Sequence, residues 1–156
     1  MERAPRTLKF LGTAGARFVV STQLRHSGGL VWTLGGATIW VDPGPGALVR
    51  ALASRPRVDP AKVDALVVTH RHLDHAGDAT AVVEAMSRGG FGRRGTLLAP
   101  RDALEVEPVV FRYAQSFVAE RRVLAEGSRH ELAGGVVLDT PLAHDHGVET
   151  YGYRLS

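Results

Sequence analysis

The chain has 156 residues, is 44% hydrophobic and carries a formal net charge of +3 with a sequence pI near 9.8. That composition is ordinary for a folded globular chain with one core. No apolar run approaches the roughly 20 residues of a membrane span, and with no cysteine the chain has neither disulfides nor thiolate ligands. The N-terminus carries Arg3 and Arg6 but no long apolar stretch with a cleavage site, which points to the cytoplasm and away from secretion.

Residues 8–12 read as a first strand. Residues 28–33 and 37–41 flank Leu34-Gly35-Gly36, and Gly-Gly between apolar runs is a hairpin signal. The second of these runs ends at Asp42, followed by Pro43-Gly44-Pro45-Gly46, whose glycines let the backbone turn tightly. A short helix is expected over 48–53. Asp59-Pro60 is a helix-start pair, with aspartate as cap and proline in the first turn. Residues 65–68 form the next strand. Ala79, Val82, Val83 and Met86 then fall at i, i+3, i+4 and i+7, the stripe of a helix with one buried face. Residues 96–99 read as a strand ending at Pro100. The segment 102–120 mixes helical and loop signals, and 122–124, 131–132, 136–138 and 151–155 read as strands. Early hairpins followed by strands interleaved with helices imply an α/β chain, a mixed sheet layered by helices. There is no linker, repeat or low-complexity tract, so residues 1–156 read as one domain.

The chemistry concentrates directly after the apolar run Ala65-Leu66-Val67-Val68-Thr69. There the sequence is His70-Arg71-His72-Leu73-Asp74-His75. Imidazole and carboxylate are the ligands that Zn, Fe or Mn take from a protein. His70, His72 and Asp74 recur at period two, so an extended segment would point all three to one side; His75 comes where the chain should turn into the next helix. With seven histidines in the chain, such a pattern arises by chance on the order of once in a thousand chains, which makes a plain polar loop a poor competing reading. No phosphate-binding Gly-x-x-x-x-Gly-Lys-[Ser/Thr] motif and no nucleophilic serine arrangement competes with it.

Thr69-His70-Arg71-His72-Leu73-Asp74-His75 after a buried strand resembles the signature of the metallo-β-lactamase superfamily of metal-dependent hydrolases. Three further stretches resemble its ribonuclease Z-like phosphodiesterase branch: Phe10-Leu11-Gly12-Thr13, Val41-Asp42-Pro43-Gly44 and His146-Gly147-Val148-Glu149-Thr150-Tyr151-Gly152-Tyr153-Arg154. In that branch a metal-binding histidine stands six residues before the glycine of a Gly-Tyr-Arg strand, and His146 has that spacing to Gly152. His144, which follows Pro141-Leu142-Ala143, is the alternative ligand.

The resemblance implies an αββα-type fold with two divalent ions, Zn with Fe or Mn as rivals, in a cleft between two similar halves. His70, His72 and His146 would hold one ion. Asp74 and His75 would begin the second site, and Asp74 would also act catalytically by orienting water. Asp42 has two readings, an acceptor fixing a ligand histidine's tautomer or a turn cap; the likeness favours the first. The implied substrate is a phosphodiester, an RNA 3′ end or a small molecule; lactone, thioester or lactam hydrolysis would use the same ions. Family members draw a bridging aspartate and a final histidine from a second half that follows the Gly-Tyr-Arg strand. The sequence therefore reads as the first half of such an enzyme, either a fragment of a longer chain or a half completed by a partner chain or by a second copy of itself.

Lys9 and Lys62 are the only lysines among 19 basic residues. Arginine pairs with phosphate bidentately, although arginine usage also follows from genome composition. Gly89-Gly90-Phe91-Gly92-Arg93-Arg94-Gly95 reads either as a solvated loop or as a contact for a polyanion. His26 and His130 read as surface residues. Trp32, Trp40, Phe111 and Tyr113 are dispersed along the chain, which suggests core or lid packing and not a base-stacking platform.

Overall fold

The computed structural model describes residues 6–156, so Arg3 of the N-terminal reading lies outside the described residues. Among the described residues nine strands form two sheets. The larger has six strands in sequence order: β1 (Thr7–Phe10), β2 (Leu30–Leu34), β3 (Ala37–Val41), β4 (Ala65–Val67), β5 (Thr96–Pro100) and β6 (Glu120–Leu124). The first three pair antiparallel and β3 to β6 pair parallel. The smaller sheet is the antiparallel set β7 (Ser128–Glu131), β8 (Val137–Thr140) and β9 (Arg154–Leu155).

Alternation along the central strands builds both sides of the core. Trp40, Leu66 and Leu97 face one side, where they pack with Ala47 and Ala51 of α2 (Ala47–Ala53) and with Ala79, Val82, Val83 and Met86 of α4 (Ala79–Ser87). Ile39, Val67 and Leu98 face the other, where Leu132, Val136 and Leu138 bring the small sheet over them. The result is three layers: helices, the large sheet, the small sheet. Because the central strands are buried on both faces, they read as continuous apolar runs and not as alternating ones. Trp40 is fully buried, and its indole N–H is satisfied by Gly28 O at 3.0 Å.

The hairpin turns where the sequence places it, at Gly35 and Gly36, both with positive φ (59° and 83°), and pairs β2 with β3. Asp59 caps a single 3-10 turn at Pro60–Lys62, accepting from Ala61 N at 3.1 Å. Several expectations need correction. A helix α1 (Arg17–Thr22) follows β1. The ambiguous segment 102–120 resolves into a π-type turn at Asp102–Val106, a 3-10 turn at Ala114–Phe117 and the start of β6. The tail is strand only at Arg154–Leu155, with Tyr151 making an isolated bridge to Ala143. Among the described residues no helix is long and apolar enough to cross a membrane.

Candidate metal centre

The parallel strands β3, β4 and β5 all deliver their C-terminal ends to one edge of the large sheet, the usual place for a site in an open parallel sheet. β3 ends at Asp42, β4 leads into Thr69-His70, and β5 runs into Asp102. The histidine loop is not one extended segment. It is extended only to His72, which precedes the short helix α3 (Leu73–Ala76). Asp74 and His75 both lie inside α3, so a helical turn, not strand alternation, sets where they point.

One nitrogen from each of His70, His72 and His146 lies within 4.8 Å of the other two, so these imidazoles can hold a metal ion. His72 Nδ1 and His146 Nε2 are 3.2 Å apart, and the ring centroids of His70 lie 4.9 Å from both of the others. Burial, reinforced by the charges of neighbouring histidines, lowers His70 to about 4 despite the carboxylate of Asp42, so its ring is neutral at pH 7. His144 is not with them: its Nε2 packs against Gly152, 2.7 Å from where a Cβ on that glycine would sit.

Asp74 and His75 flank this cluster. Asp74 Oδ2 accepts from the backbone N–H of Ala16 at 3.1 Å and faces His75 Nε2 at 3.3 Å. His75 Nδ1 lies 2.9 Å from Asp42 Oδ2. Burial opposes a charge on His75, but hydrogen bonding and attraction to Asp42, with Asp74 beside it, outweigh burial and raise its pKa. Asp42 also accepts from Thr69 N at 2.7 Å and from Thr69 Oγ1 at 2.8 Å, and that hydroxyl sits 3.0 Å from His70 Nδ1. One carboxylate, held at positive φ (54°) at the strand end, thus orients His75 directly and His70 through Thr69. The Pro-Gly turn beside it is tight: a Cβ on Gly44 would lie 1.9 Å from Asp74 O and 2.4 Å from Ser27 O. Here glycine is required by close approach of two backbones.

Sequence reading missed the group that joins the two histidine-bearing loops. Asp102 Oδ2 accepts from Arg71 Nε at 2.9 Å and from the backbone N–H of Glu149 at 3.3 Å. Arg71 also pairs with Glu107, and Glu149 accepts from Arg101 N at 3.1 Å. Asp102 therefore ties the His70–His75 loop to the loop of His146. Its place just after a parallel strand, like that of Asp42, was the available signal. The other Asp102 oxygen, Oδ1, is buried without a hydrogen-bond partner. His26 is exposed as expected, whereas His130 is only half-exposed, with Nε2 3.0 Å from Ser128 Oγ. A cavity of about 500 Å³ lies between β1, β2 and the tail, and none of the cluster's histidines lines it.

A family model described as the beta-lactamase superfamily domain matches residues 37–156. The chain belongs to this superfamily. It is 35% identical to an uncharacterized protein of Methanocaldococcus jannaschii over 94% of this chain and 56% of that protein. It is 33% identical to a ribonuclease Z of Kineococcus radiotolerans over 97% of this chain and 48% of that one. Among solved structures, a diphosphatase of the PhnP family superposes with a TM-score of 0.66 at 28% identity, covering 96% of this chain and 61% of that one. The metallo-β-lactamase fold protein YhfI of Bacillus subtilis gives 0.73 at 17% identity, over 98% and 59%. The fold is thus the metallo-β-lactamase one, and the chain spans about half the length of the curated relatives it matches.

Proposed function

We propose that this superfamily chain is the first half of a metal-dependent hydrolase acting on phosphodiesters, an RNA 3′ end or a small molecule. The observation that carries the reading is the convergence of His70, His72 and His146 within 4.8 Å, beside the Asp74–His75 pair. The donor set fits a divalent ion of the zinc class: imidazoles with a carboxylate beside them and no sulfur. A second feature fits as well. With Nδ1 directed at Asp42, His75 would on losing its Nε2 proton offer that nitrogen, beside the Asp74 carboxylate oxygen 3.3 Å away, to a cation that takes the proton's place.

His70, His72 and His146 would hold one ion, Zn with Fe or Mn as rivals, and Asp74 with His75 would begin a second site. Divalent ions supply Lewis acidity there, acidifying water and neutralising charge on a phosphoryl oxygen. Asp74, fixed by Ala16 N–H, is the acceptor that orients the attacking water and takes its proton. Asp42 keeps the ring nitrogens of His75 and His70 in the required tautomers. The packing of His144 against Gly152 supports His146 over His144 as the tail ligand. Phosphodiesters are favoured over lactones, thioesters or lactams by the likeness to ribonucleases Z and to a diphosphatase.

A second reading is favoured by the length of the relatives. This chain would form one metal-binding unit that is inactive until a bridging aspartate and a final histidine reach it, from a further part of the same polypeptide, from a complementing chain or from a second copy across a two-fold axis. Elemental analysis of protein purified without chelator tests the first reading. Zn, Fe or Mn should be present and should be lost from His70→Ala/His72→Ala; full metal content in that variant overturns the assignment. Mass in solution together with phosphodiesterase turnover tests the second, which a fast monomeric enzyme would exclude.

A further inference from the structure

Away from the histidines, three guanidinium groups gather on one pocket at the β6 edge of the large sheet. Arg121 comes from β6, Arg112 from the segment between β5 and β6, and Arg93 from the glycine-rich loop before β5. With Gln115 and Ser116 they line a pocket of about 370 Å³. Each guanidinium is held in place by a neutral acceptor. Arg93 Nε and Nη2 both donate to Val118 O at 3.3 Å, and Arg112 Nη2 donates to Glu105 O at 2.9 Å. Arg121 Nη1 donates to Gln115 Oε1 at 2.8 Å. Gln115 is itself buried, and its amide nitrogen donates to Leu104 O and Val110 O, both at 2.9 Å.

Carbonyl oxygens orient a guanidinium but leave its charge uncancelled. Six arginines outside the pocket, Arg71, Arg94, Arg101, Arg122, Arg129 and Arg154, each meet a carboxylate, while among the described residues others such as Arg50 and Arg57 do not. Among the described residues, none of the three pocket arginines is paired with one. Three like charges on a shared pocket repel, and pre-orientation without neutralisation leaves their forked donors available to a polyoxyanion. Phosphate is the anion whose geometry they match.

The pocket's neighbours narrow the ligand further. Phe111 and Tyr113 flank Arg112 in the chain, and their ring centroids stand 6.1 Å apart. Both are exposed, at 60% and 56%; the Tyr113 ring also meets Phe117 edge-on at 5.8 Å, so Phe111 is the freer of the two. Their separation in the sequence from the tryptophans suggested dispersal; the fold sets the two rings near each other on the segment that carries Arg112, outside the lining of the pocket itself. Of the neighbouring glycine-rich loop, Arg94 is bound to Asp64 and only Arg93 serves the pocket. Arginines that follow a backbone, with exposed rings beside them, are the elements that hold single-stranded nucleic acid, phosphates on the cations and bases on the rings.

We propose that the Arg93–Arg112–Arg121 pocket, with Phe111 and Tyr113, binds the backbone of a single-stranded nucleic acid outside the histidine cluster. The pocket lies by the N-terminal ends of β5 and β6, the opposite end of the parallel strands from the histidine cluster, so a nucleic-acid strand seated here is held apart from the cluster. The binding needs no metal and stands apart from the reading of the histidines.

Fluorescence anisotropy of the full chain with a labelled oligouridine of about twelve nucleotides tests this, over a range of salt. Arg93→Ala/Arg112→Ala/Arg121→Ala should weaken binding at least about tenfold and reduce the slope of log K against log salt by about 2, roughly 0.7 per lost phosphate contact. Arg112→Ala alone, which removes a hydrogen bond to a backbone carbonyl, should reduce the slope by about 0.7 and guards against misfolding of the triple variant. Phe111→Ala/Tyr113→Ala should weaken binding about fivefold or more with the salt slope unchanged. His70→Ala/His72→Ala is the opposing control, since binding carried by the histidine cluster alone would be lost only in that variant. The proposal is overturned if Arg112→Ala and the triple variant both keep parental affinity and slope. It is also overturned if inorganic phosphate binds and oligouridine does not, if polyglutamate binds as tightly as oligouridine, or if only the histidine variant loses binding.

Discussion

Asp102 shows how a residue far from the ligands in sequence can set their geometry. Its Oδ2 holds Arg71 and the Glu149 amide together, and these belong to the two loops that bring His72 and His146 to 3.2 Å. Arg71 is partly exposed, so the ion pair itself adds little stability; its value lies in placement. Asp102→Ala should therefore lower metal affinity about ten- to hundredfold, the range for residues that orient ligands, while leaving the melting temperature close to that of the parent. Isothermal titration with Zn checks this, and unchanged affinity would show that the loops keep their register without it. At this scale the sequence was informative wherever residues act as neighbours. His70, His72, Asp74 and His75 announce themselves within six positions. Asp102 gave only its position after a strand, because nothing local reveals that its partners lie 31 and 47 residues away.

The elements differ in how openly the sequence wrote them. Helix α4 is legible because its stripe is wholly buried. Met86 is fully buried in that stripe, and Met86→Ala should cost about 2–5 kcal/mol, measurable by urea denaturation. Helix α1 was not legible: it is short, buries none of its described side chains fully, and exposes Phe18. The π-type turn at Asp102–Val106 has no sequence period of its own. The small sheet carries a pH dependence. A hydrogen bond from Arg154 lowers the pKa of Asp139, opposed by burial and aided by the charges of Arg129 and Arg154. A carboxylate lowered in the folded state binds fewer protons than in the unfolded chain. Its contribution is therefore fully present above the unfolded pKa of about 3.9 and is lost as pH falls through the lower folded value. Thermal melts should fall as pH drops below about 4, and Asp139→Asn should flatten that part of the profile. An equally steep fall in the variant would assign the loss to other carboxylates.

Across the whole molecule the layers explain why one edge holds the chemistry. Parallel strands β3, β4 and β5 are locked between helices and the small sheet, so Asp42, the histidine loop and Asp102 emerge from a rigid frame on the same side. Alternating strands and helices made this layered class legible, and the motif order made the superfamily legible. The meeting of His146 with His70 and His72 rested on resemblance alone, since a separation of 74 residues leaves no local trace of contact. The central claim is that these three imidazoles share one divalent ion. Anomalous diffraction from crystals grown with Zn, recorded on both sides of the zinc absorption edge, tests it most directly. The account predicts a peak bonded to His70, His72 and His146, with His144 off the ion. A peak on His144 with His146 turned to solvent, or no peak at the cluster at all, would contradict it.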